Sequence, residues 1–355
     1  MIMAVPTKIN TWQMVEPGKL EKTTIDVPEI KAGESLVKIA GCGVCHTDVG
    51  YFYDGVPTVT KPPLTLGHEI SGTVVAGDLL GKEVIIPAVM PCNSCDVCAS
   101  GRGNRCLKQA MPGNSLGIYG GFSDYIPVPS QDLCVVDDKK GMPLEMMSVI
   151  ADAITSPYQA ALTSGLKPGD VAIVLGGTGG IGVYMTQICA ALGAKEVIVI
   201  ARNKEKLERA KSYGATHTIS TLDKDVKAVA ADMKAYSKEK KLPNHSLKIF
   251  ECTGTTIGQE IALGLLTFLS TMMVVGFGMG KVSYMLSRLM AFEAELKGTW
   301  GCLPHHYKTV LNMVLEGKIK VEPFVDIRPM SGILKAYEEA HGGQLTQRIV
   351  LTPDF

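Results

Sequence analysis

The pattern of apolar and polar positions changes character near the middle of the chain. Up to about residue 150, short runs such as 35–39 and 81–86 alternate apolar and polar residues between glycines and prolines. This pattern predicts a β-rich domain with many turns. From residue 154 onward, continuous apolar runs alternate with helical patterns, at residues 171–175, 196–200, 247–250 and 272–275. Such runs predict parallel strands covered by helices on both faces.

The chain is therefore predicted to be an α/β protein of two domains. Its 355 residues are enough for two separate cores. The last fifty residues return to a mixed pattern and are expected to rejoin the first domain. The predicted boundaries are 1–153 with 298–355 for one domain and 154–297 for the other. The lysine-rich stretch 221–244 is interpreted as a solvated surface helix rather than as a binding patch.

The first apolar run of the second domain leads into a glycine-rich turn. Residues 177–182 read G-x-G-x-x-G, and the positions of interest are Gly177, Gly179, Gly180, Ile181 and Gly182. Glycines let a pyrophosphate approach the backbone, and the helix that follows offers free amides to it. Because the turn lies between a predicted strand and a predicted helix, it indicates a dinucleotide site. A packing turn in another kind of α/β protein is the alternative.

The end of the next predicted strand bears on the choice between NAD and NADP. An acidic residue there would bind the adenosine ribose hydroxyls. The chain instead has Ala201-Arg202-Asn203. Arg202 could bind a 2′-phosphate or stack on adenine. This position alone therefore favours NADP, or no preference between the two cofactors.

Four of the ten cysteines lie within fifteen residues, at Cys92, Cys95, Cys98 and Cys106. Their spacing, C-x2-C-x2-C-x7-C, is typical of a closed tetrahedral zinc site. Four buried or disulfide-paired cysteines are the alternative. Residues 1–6 show no basic flank followed by an apolar run, so no signal peptide is expected. Cysteines without export favour metal binding and a cytoplasmic location.

A second group of potential ligands is spread over three segments. Cys45 and His68 provide one thiolate and one imidazole, a common pairing for zinc. Asp48 is placed to orient an imidazole, and Glu69 could act as an outer or transient ligand. A catalytic zinc needs a third protein ligand and one open position. Asp152 is the residue able to bind a metal in the stretch 149–153, and it is predicted to be that third ligand.

Composition narrows the functional class. The chain is 46% hydrophobic and 20% charged, which is ordinary for a globular enzyme and argues against disorder. Lys plus Arg and Asp plus Glu both number 35, so a general nucleic-acid binder or membrane-surface protein is disfavoured. No stretch of about 18 apolar residues indicates a membrane span.

Taken together, the motifs resemble those of the zinc-dependent medium-chain alcohol dehydrogenases. The resemblance rests on segments 41–48 and 67–69, the four-cysteine segment, the glycine turn and the ending 348–351. It implies a GroES-like catalytic domain with a structural zinc lobe at about 91–107, and a Rossmann NAD(P)-binding domain. It also implies two zinc ions per subunit and a homodimer or homotetramer.

The resemblance also assigns roles to individual residues. Cys45, His68 and Asp152 fall on the catalytic ligand positions. Thr47 falls on the hydroxyl position that takes the proton from the alcohol. Three residues after it, many relatives carry a histidine that passes the proton on to solvent. Gly50 stands there instead, so the proton must leave by another route.

Further positions implied by the family contact the other ligands. His46 and Arg348 fall on positions that contact the cofactor pyrophosphate. Val89 and Trp300 match positions that line the substrate pocket, and their apolar surfaces suit an alicyclic ring. For Trp300 a plain core role is the alternative.

Segments 42–57 and 111–115, with 248–254, most resemble the 6-hydroxycyclohex-1-ene-1-carbonyl-CoA dehydrogenases. This likeness implies oxidation of a cyclic allylic alcohol carried by coenzyme A, with hydride transfer to NAD, in aromatic degradation. NAD is preferred on this ground, although NADP is not excluded. The alternatives are a zinc-dependent hydratase acting on a conjugated acyl-CoA, an alcohol or polyol dehydrogenase with a non-CoA substrate, and a relative that has lost catalysis.

Overall fold

The computed structural model describes residues 6–343 and 345–355. Met1–Val5, on which part of the expectation about a signal peptide rests, lie outside the described residues. The chain forms two compact units. The first comprises the described residues up to Thr155, with Gly301–Glu316 and Val321–Phe355, and the second comprises Ser156–Trp300 with Gly317–Lys320.

The N-terminal part of the first unit is mainly strands. They are β1 (Lys8–Glu16), β2 (Lys19–Asp26), β3 (Glu34–Gly43), β4 (Leu64–Thr65), β5 (Glu69–Gly77), β6 (Glu83–Ile86), β7 (Tyr125–Pro129) and β8 (Cys134–Val136). Two short helices interrupt them, α1 (His46–Tyr53) and α2 (Asp96–Ala99).

The second unit alternates helices and strands. In chain order these are α3 (Thr155–Thr163), β9 (Val171–Leu175), α4 (Gly182–Ala191), β10 (Glu196–Ala201), α5 (Lys204–Lys211), β11 (His217–Ser220), α6 (Val226–Lys240), β12 (Lys248–Glu251), α7 (Thr256–Gly264), β13 (Thr271–Val274), α8 (Ser287–Phe292) and β14 (Glu295–Gly298). The C-terminal part of the first unit adds α9 (Tyr307–Leu315), β15 (Val325–Pro329), α10 (Ile333–His341) and β16 (Arg348–Thr352).

The sheet of the first unit explains how distant segments meet at one place. Its strand order is β15-β16-β3-β5-β6-β8, with β7 also paired to β3. The last strand of the chain thus lies beside β3, where Val350 is opposite Gly43. On the other side of β3, Gly43 is opposite Glu69 at the start of β5. The ends of β3, β5 and β16 therefore converge.

Tyr307 fixes another part of this unit. Its side chain is fully buried. The phenol hydroxyl donates to the carbonyl of Ala151 at 2.5 Å and accepts from the amide of Ala88 at 3.1 Å. Helix α9 thereby anchors the residue directly before Asp152.

The sheet of the second unit is parallel throughout, in the order β11-β10-β9-β12-β13-β14. The sequence prediction of a parallel sheet with helices between its strands is confirmed. The chain winds from β9 outward to β11 on one side and from β12 outward to β14 on the other. This reversal places a topological switch point between β9 and β12, where open α/β sheets bind ligands.

The apolar pattern located the central strands to within one residue but missed the two edge strands. β9, β10, β12 and β13 are almost wholly buried, which is why they appear as continuous apolar runs. In β11 one residue of four is buried, and in β14 none is. Edge strands are covered on fewer sides, so their sequences carry little apolar signal.

Among the described residues, no helix combines the length and apolar character that crossing a membrane requires.

Candidate metal and cofactor sites

The four clustered cysteines bring their sulfur atoms to one point. The Sγ atoms of Cys92, Cys95, Cys98 and Cys106 all lie within 4.8 Å of one another. The Cys95 sulfur is 3.5 Å from that of Cys98 and 3.8 Å from that of Cys106. Four sulfurs at about 2.3 Å from a central zinc would be about 3.8 Å apart, so the spacing fits a tetrahedral site.

The ionisation of these thiols also fits a metal. Hydrogen bonds from Ser94 lower the pKa of Cys92 to about 6. Partial burial and the neighbouring sulfurs raise the pKa of Cys98 to about 12. A divalent cation bound among the four sulfurs would favour the thiolate form of each.

The second predicted ligand group also assembles. Single ligand atoms of Cys45, His68, Glu69 and Asp152 lie within 4.8 Å of one another. His68 and Glu69 are fully buried, and Cys45 and Asp152 are half-buried. The His68 Nε2 atom is 3.6 Å from the Asp152 Oδ2 atom. One sulfur, one imidazole and carboxylate oxygens form a donor set that suits zinc.

A buried aspartate organises this cluster. Asp48 lies in the first turn of α1 and has no exposed surface. Its Oδ1 accepts hydrogen bonds from the Gly67 amide at 3.0 Å and pairs with His68 Nδ1 at 3.2 Å. Its Oδ2 accepts from the Cys45 amide at 3.4 Å. Asp48 therefore holds the imidazole so that Nε2 remains available as a ligand, the role expected from the sequence.

The electrostatic field at His68 favours a cation. Burial by itself lowers the pKa of an imidazole, yet the pKa of His68 is raised well above its usual value by Asp48 and Asp152. The same negative surroundings would stabilise a bound divalent ion.

Arg348 pairs with Glu69 beside the cluster. The guanidinium Nε lies 2.7 Å from Glu69 Oε2, and NH2 donates to Oε1, which makes a bidentate pair. Glu69 is fully buried and Arg348 is 8% exposed. A side chain at Gly43 would leave no room, since its Cβ would be 2.1 Å from Glu69 Oε2. The pair was missed in the sequence because its partners are 279 positions apart.

The remaining predicted residues of the first unit lie nearby or in its core. Thr47 Oγ1 is 3.7 Å from the Cys45 sulfur. His46 is exposed at the start of α1. Val89 is buried and packs closely over Gly301. Their assigned roles toward alcohol, pyrophosphate and substrate stay predictions.

In the second unit, the glycine turn joins β9 to α4. Gly179 and Gly180 are exposed, so their amides are accessible to a phosphate group. Gly182 begins α4, and a Cβ there would be 2.0 Å from the Gly176 carbonyl oxygen. Only glycine permits this packing of helix start against strand end.

The other predicted residues of this unit differ in their exposure. Arg202 is exposed directly after β10, and Asn203 caps α5 by accepting from the Lys206 amide at 2.9 Å. Trp300 is half-buried. Contact of Arg202 with adenine or a phosphate, and of Trp300 with substrate, stay predictions.

Comparisons with known proteins agree with this geometry. Residues 31–138 match the alcohol dehydrogenase GroES-like domain, and residues 180–316 match the zinc-binding dehydrogenase family. The chain belongs to the zinc-dependent medium-chain alcohol dehydrogenases. It is accordingly an oxidoreductase that uses zinc and a nicotinamide cofactor.

Individual relatives cover almost the whole chain. Sorbitol dehydrogenase 1 of Saccharomyces cerevisiae is 28% identical over 345 residues, which are 92% of this chain and 94% of the relative. An alcohol dehydrogenase of Geobacillus stearothermophilus is 28% identical over 343 residues, covering 94% and 95%. Galactitol-1-phosphate dehydrogenase from Escherichia coli is similar in structure, with a TM-score of 0.84 and 26% identity over 97% of this chain and 100% of that one.

Removing one sulfur from each cluster is expected to remove a different zinc ion. The unaltered chain should hold about two zinc ions, and Cys45→Ser and Cys98→Ser about one each, because serine is a poor zinc ligand. Metal analysis of the purified variants measures this. Cys134→Ser, which removes a thiol outside both clusters, should leave the zinc content unchanged. Retention of two zinc ions and turnover in Cys45→Ser would contradict the assignment.

Breaking the buried ion pair should strongly destabilise the first unit. Arg348→Met leaves Glu69 charged and unpaired, which is expected to lower the free energy of unfolding by about 3–5 kcal/mol. The double variant Glu69→Gln/Arg348→Met should lose less, because no buried charge remains. Urea unfolding measures both.

Arg328 provides a matched control for this experiment. It is partly exposed and pairs with Asp326 at 2.7 Å and Glu339 at 2.6 Å. Arg328→Met should cost about 0–1 kcal/mol, as is usual for surface pairs. If Arg348→Met and Arg328→Met lower the free energy of unfolding equally, burial of the Glu69 pair does not add to the cost of breaking it.

Proposed function

We propose that this dehydrogenase oxidises a cyclic allylic alcohol carried on coenzyme A. The substrate is of the 6-hydroxycyclohex-1-ene-1-carbonyl-CoA type, the product is the conjugated 6-oxo compound, and the hydride acceptor is NAD. Such a reaction belongs to aromatic degradation. The proposal includes a cytoplasmic location, which is supported by ten free cysteines, since thiolates kept for metal persist in reducing compartments.

The substrate proposal is supported by the sequence likeness of two distant segments, which meet in the structure. Residues 42–57 and 111–115 are those that most resemble the acyl-CoA subfamily. Asn114 Nδ2 donates to the Tyr51 hydroxyl at 2.5 Å, and both side chains are buried. Asn114 Oδ1 also accepts from the Val59 amide at 3.0 Å. These bonds tie α1, whose first turn carries Asp48, to the irregular stretch that follows the helix.

The residues of the metal cluster then have defined tasks. When bound, zinc supplies a Lewis acid toward the alcohol oxygen and the nicotinamide accepts the hydride. Cys45, His68 and Asp152 hold the ion, and Asp48 keeps the His68 ring in place. Arg348 holds the Glu69 carboxylate away from solvent. The Thr47 hydroxyl accepts the proton of the alcohol while it passes its own proton to water, since Gly50 offers no side chain to receive it. Val89 and Trp300 supply apolar surface for the ring.

For the cofactor, we propose NAD, because segments 42–57, 111–115 and 248–254 resemble a subfamily that uses NAD. An NADP enzyme would need cations around the 2′-phosphate, and Arg202 is the cation at the end of β10. In our proposal Arg202 lies over the adenine face instead. His46 and Arg348 are proposed to contact the pyrophosphate.

A polyol is the second candidate substrate, and the relatives favour it. Two of the three similar proteins described above are named for sorbitol and for galactitol 1-phosphate. A polyol presents the same secondary alcohol to the metal without a ring or a thioester.

Steady-state kinetics with a panel of alcohols separates these candidates. We expect kcat/KM for the 6-hydroxycyclohexenecarbonyl thioester of coenzyme A to exceed that for sorbitol by at least about 100-fold, and NAD to be preferred to NADP by about 10-fold. NADH absorbance measures turnover, with cyclohex-2-enol as the ring control lacking coenzyme A. Preference for sorbitol would support the polyol candidate, and product formed from a dienoyl thioester without NADH would indicate a hydratase.

We also propose that the chain forms a homo-oligomer through the edge of the second unit. β14 is an edge strand, and among the described residues it pairs with β13 alone. In β14 and in the stretch of chain that leads into it are exposed large apolar side chains, Met279, Met285, Leu286, Met290 and Leu296, which are 47–78% exposed. An unpaired strand edge beside such a patch suits a second copy of the chain, because the same edge can extend the sheet across a two-fold axis.

Charges in this patch should disrupt the oligomer. Leu286→Lys/Met290→Lys is expected to give a monomer, whereas Leu222→Lys, at an exposed apolar position after β11 on the opposite edge of the sheet, should leave the mass unchanged. Light scattering after size exclusion measures the mass. An unchanged mass in the double variant would place the interface elsewhere.

A further inference from the structure

Glu251 is a buried carboxylate in the second unit that neither the motif analysis nor the proposed mechanism uses. It is the last residue of β12 and has no exposed surface. Its Oε1 accepts hydrogen bonds from the Thr253 amide at 2.7 Å and from the Thr253 hydroxyl, and its Oε2 accepts from the Gly254 amide at 3.2 Å. Among the described residues, no lysine, arginine or histidine forms an ion pair with this carboxylate.

The hydrogen bonds favour the ionised form of this carboxylate. The two backbone amides can only donate, and they reach both carboxylate oxygens, Oε1 from Thr253 and Oε2 from Gly254. Thr253 Oγ1 also accepts from the Thr255 amide at 3.0 Å, which leaves its proton directed at Glu251 or at the Thr255 hydroxyl. Burial raises the pKa of Glu251, and the Thr253 and Gly254 bonds oppose that rise. The turn after β12 thus directs two backbone amides at this carboxylate, which favours its negative charge against the effect of burial.

This charge lies at the point where the sheet binds its ligand. β12 pairs with β9 on one side, so Glu251 is opposite Leu175, the last residue before the glycine turn. Thr253 packs over that turn, since a Cβ on Gly176 would be 2.7 Å from the Thr253 methyl carbon. The backbone carbonyl of Glu251 accepts from the amides of Val275 and Gly276 at 2.9 and 2.8 Å. Glu251 therefore joins the turns that follow β9, β12 and β13.

The topology indicates which half of the cofactor lies on this side. In a sheet of this order the pyrophosphate crosses at the switch point, over the glycine turn after β9. The adenosine ribose lies toward the end of the second strand, here β10 with Arg202. The nicotinamide half must then extend in the opposite direction, over the ends of β12 and β13.

We propose that Glu251 is a positioning residue whose buried negative charge favours the oxidised cofactor, with its cationic nicotinamide ring, over the neutral-ringed reduced form. The two forms differ by one positive charge on the ring and otherwise bind through the same groups. A charge that is not neutralised by a partner and is shielded from water acts over several ångströms. It would stabilise bound NAD⁺ relative to bound NADH and so favour alcohol oxidation.

The test compares the dissociation constants of NAD⁺ and NADH for the zinc-loaded full chain, without alcohol. NADH binding is followed by fluorescence and NAD⁺ binding by calorimetry. In Glu251→Gln, which keeps the shape but removes the charge, the dissociation constant of NAD⁺ should rise roughly tenfold and that of NADH by less than about twofold. Equal changes for both forms, or no change, would overturn the proposal. Because no substrate is present, the outcome does not depend on the proposed alcohol.

Two further variants separate the charge from the fold. Glu196→Gln removes a carboxylate at the opposite end of the same sheet, where it accepts from the Tyr236 hydroxyl at 2.9 Å, and should leave the NAD⁺ to NADH ratio unchanged. Glu251→Asp keeps the charge while altering the turn, and should preserve the ratio even if both affinities fall. A ratio that collapses in Glu251→Asp as it does in Glu251→Gln would show that turn shape, rather than charge, is responsible.

Discussion

The metal cluster depends on the burial of Asp48. Its carboxylate receives the amides of Cys45 and Gly67 and faces the ring of His68, so it joins the start of α1 to the turn before β5. A buried carboxylate without these donors would be too costly to keep ionised. The two segments are consequently held in one relative position, and that position brings a sulfur and an imidazole nitrogen together. Asp152, the proposed third ligand, reaches the same point, and Tyr307 fixes the backbone directly before it.

The two cysteine-containing sites gather their ligand atoms in different ways. In the four-cysteine segment all donors come from one short stretch, so local turns are sufficient to gather them. At Cys45 the donors come from the residue before α1, from the residues at the start of β5 and from the region after β8. Arg348 pairs with one of the carboxylates there, that of Glu69. The first arrangement is closed and supports the fold. The second contains the kinds of ligand that leave room for an alcohol oxygen.

The cofactor unit shows a similar division between local and distant determinants. The conformation of the glycine turn is determined locally, because Gly182 packs closely against Gly176. Glu251 acts at the neighbouring strand end, where it shapes the next turn through hydrogen bonds to Thr253 and Gly254. In the proposed scheme carboxylates act in both units. Asp152 helps to hold a metal cation, and Glu251 favours the cationic ring of the oxidised cofactor.

The sequence by itself determined the features that depend on spacing along the chain. The four-cysteine segment, the glycine turn and the buried strands β9, β10, β12 and β13 are all readable because close neighbours in sequence act together. Tertiary structure alone decided the pairing of Glu69 with Arg348, the bond between Tyr51 and Asn114, and the edge strands β11 and β14. These depend on which distant segments the sheets bring side by side. The residues next to Glu69 in sequence do not indicate that its partner lies 279 positions away. A partly exposed strand has few apolar residues, so its sequence gives little indication of a strand.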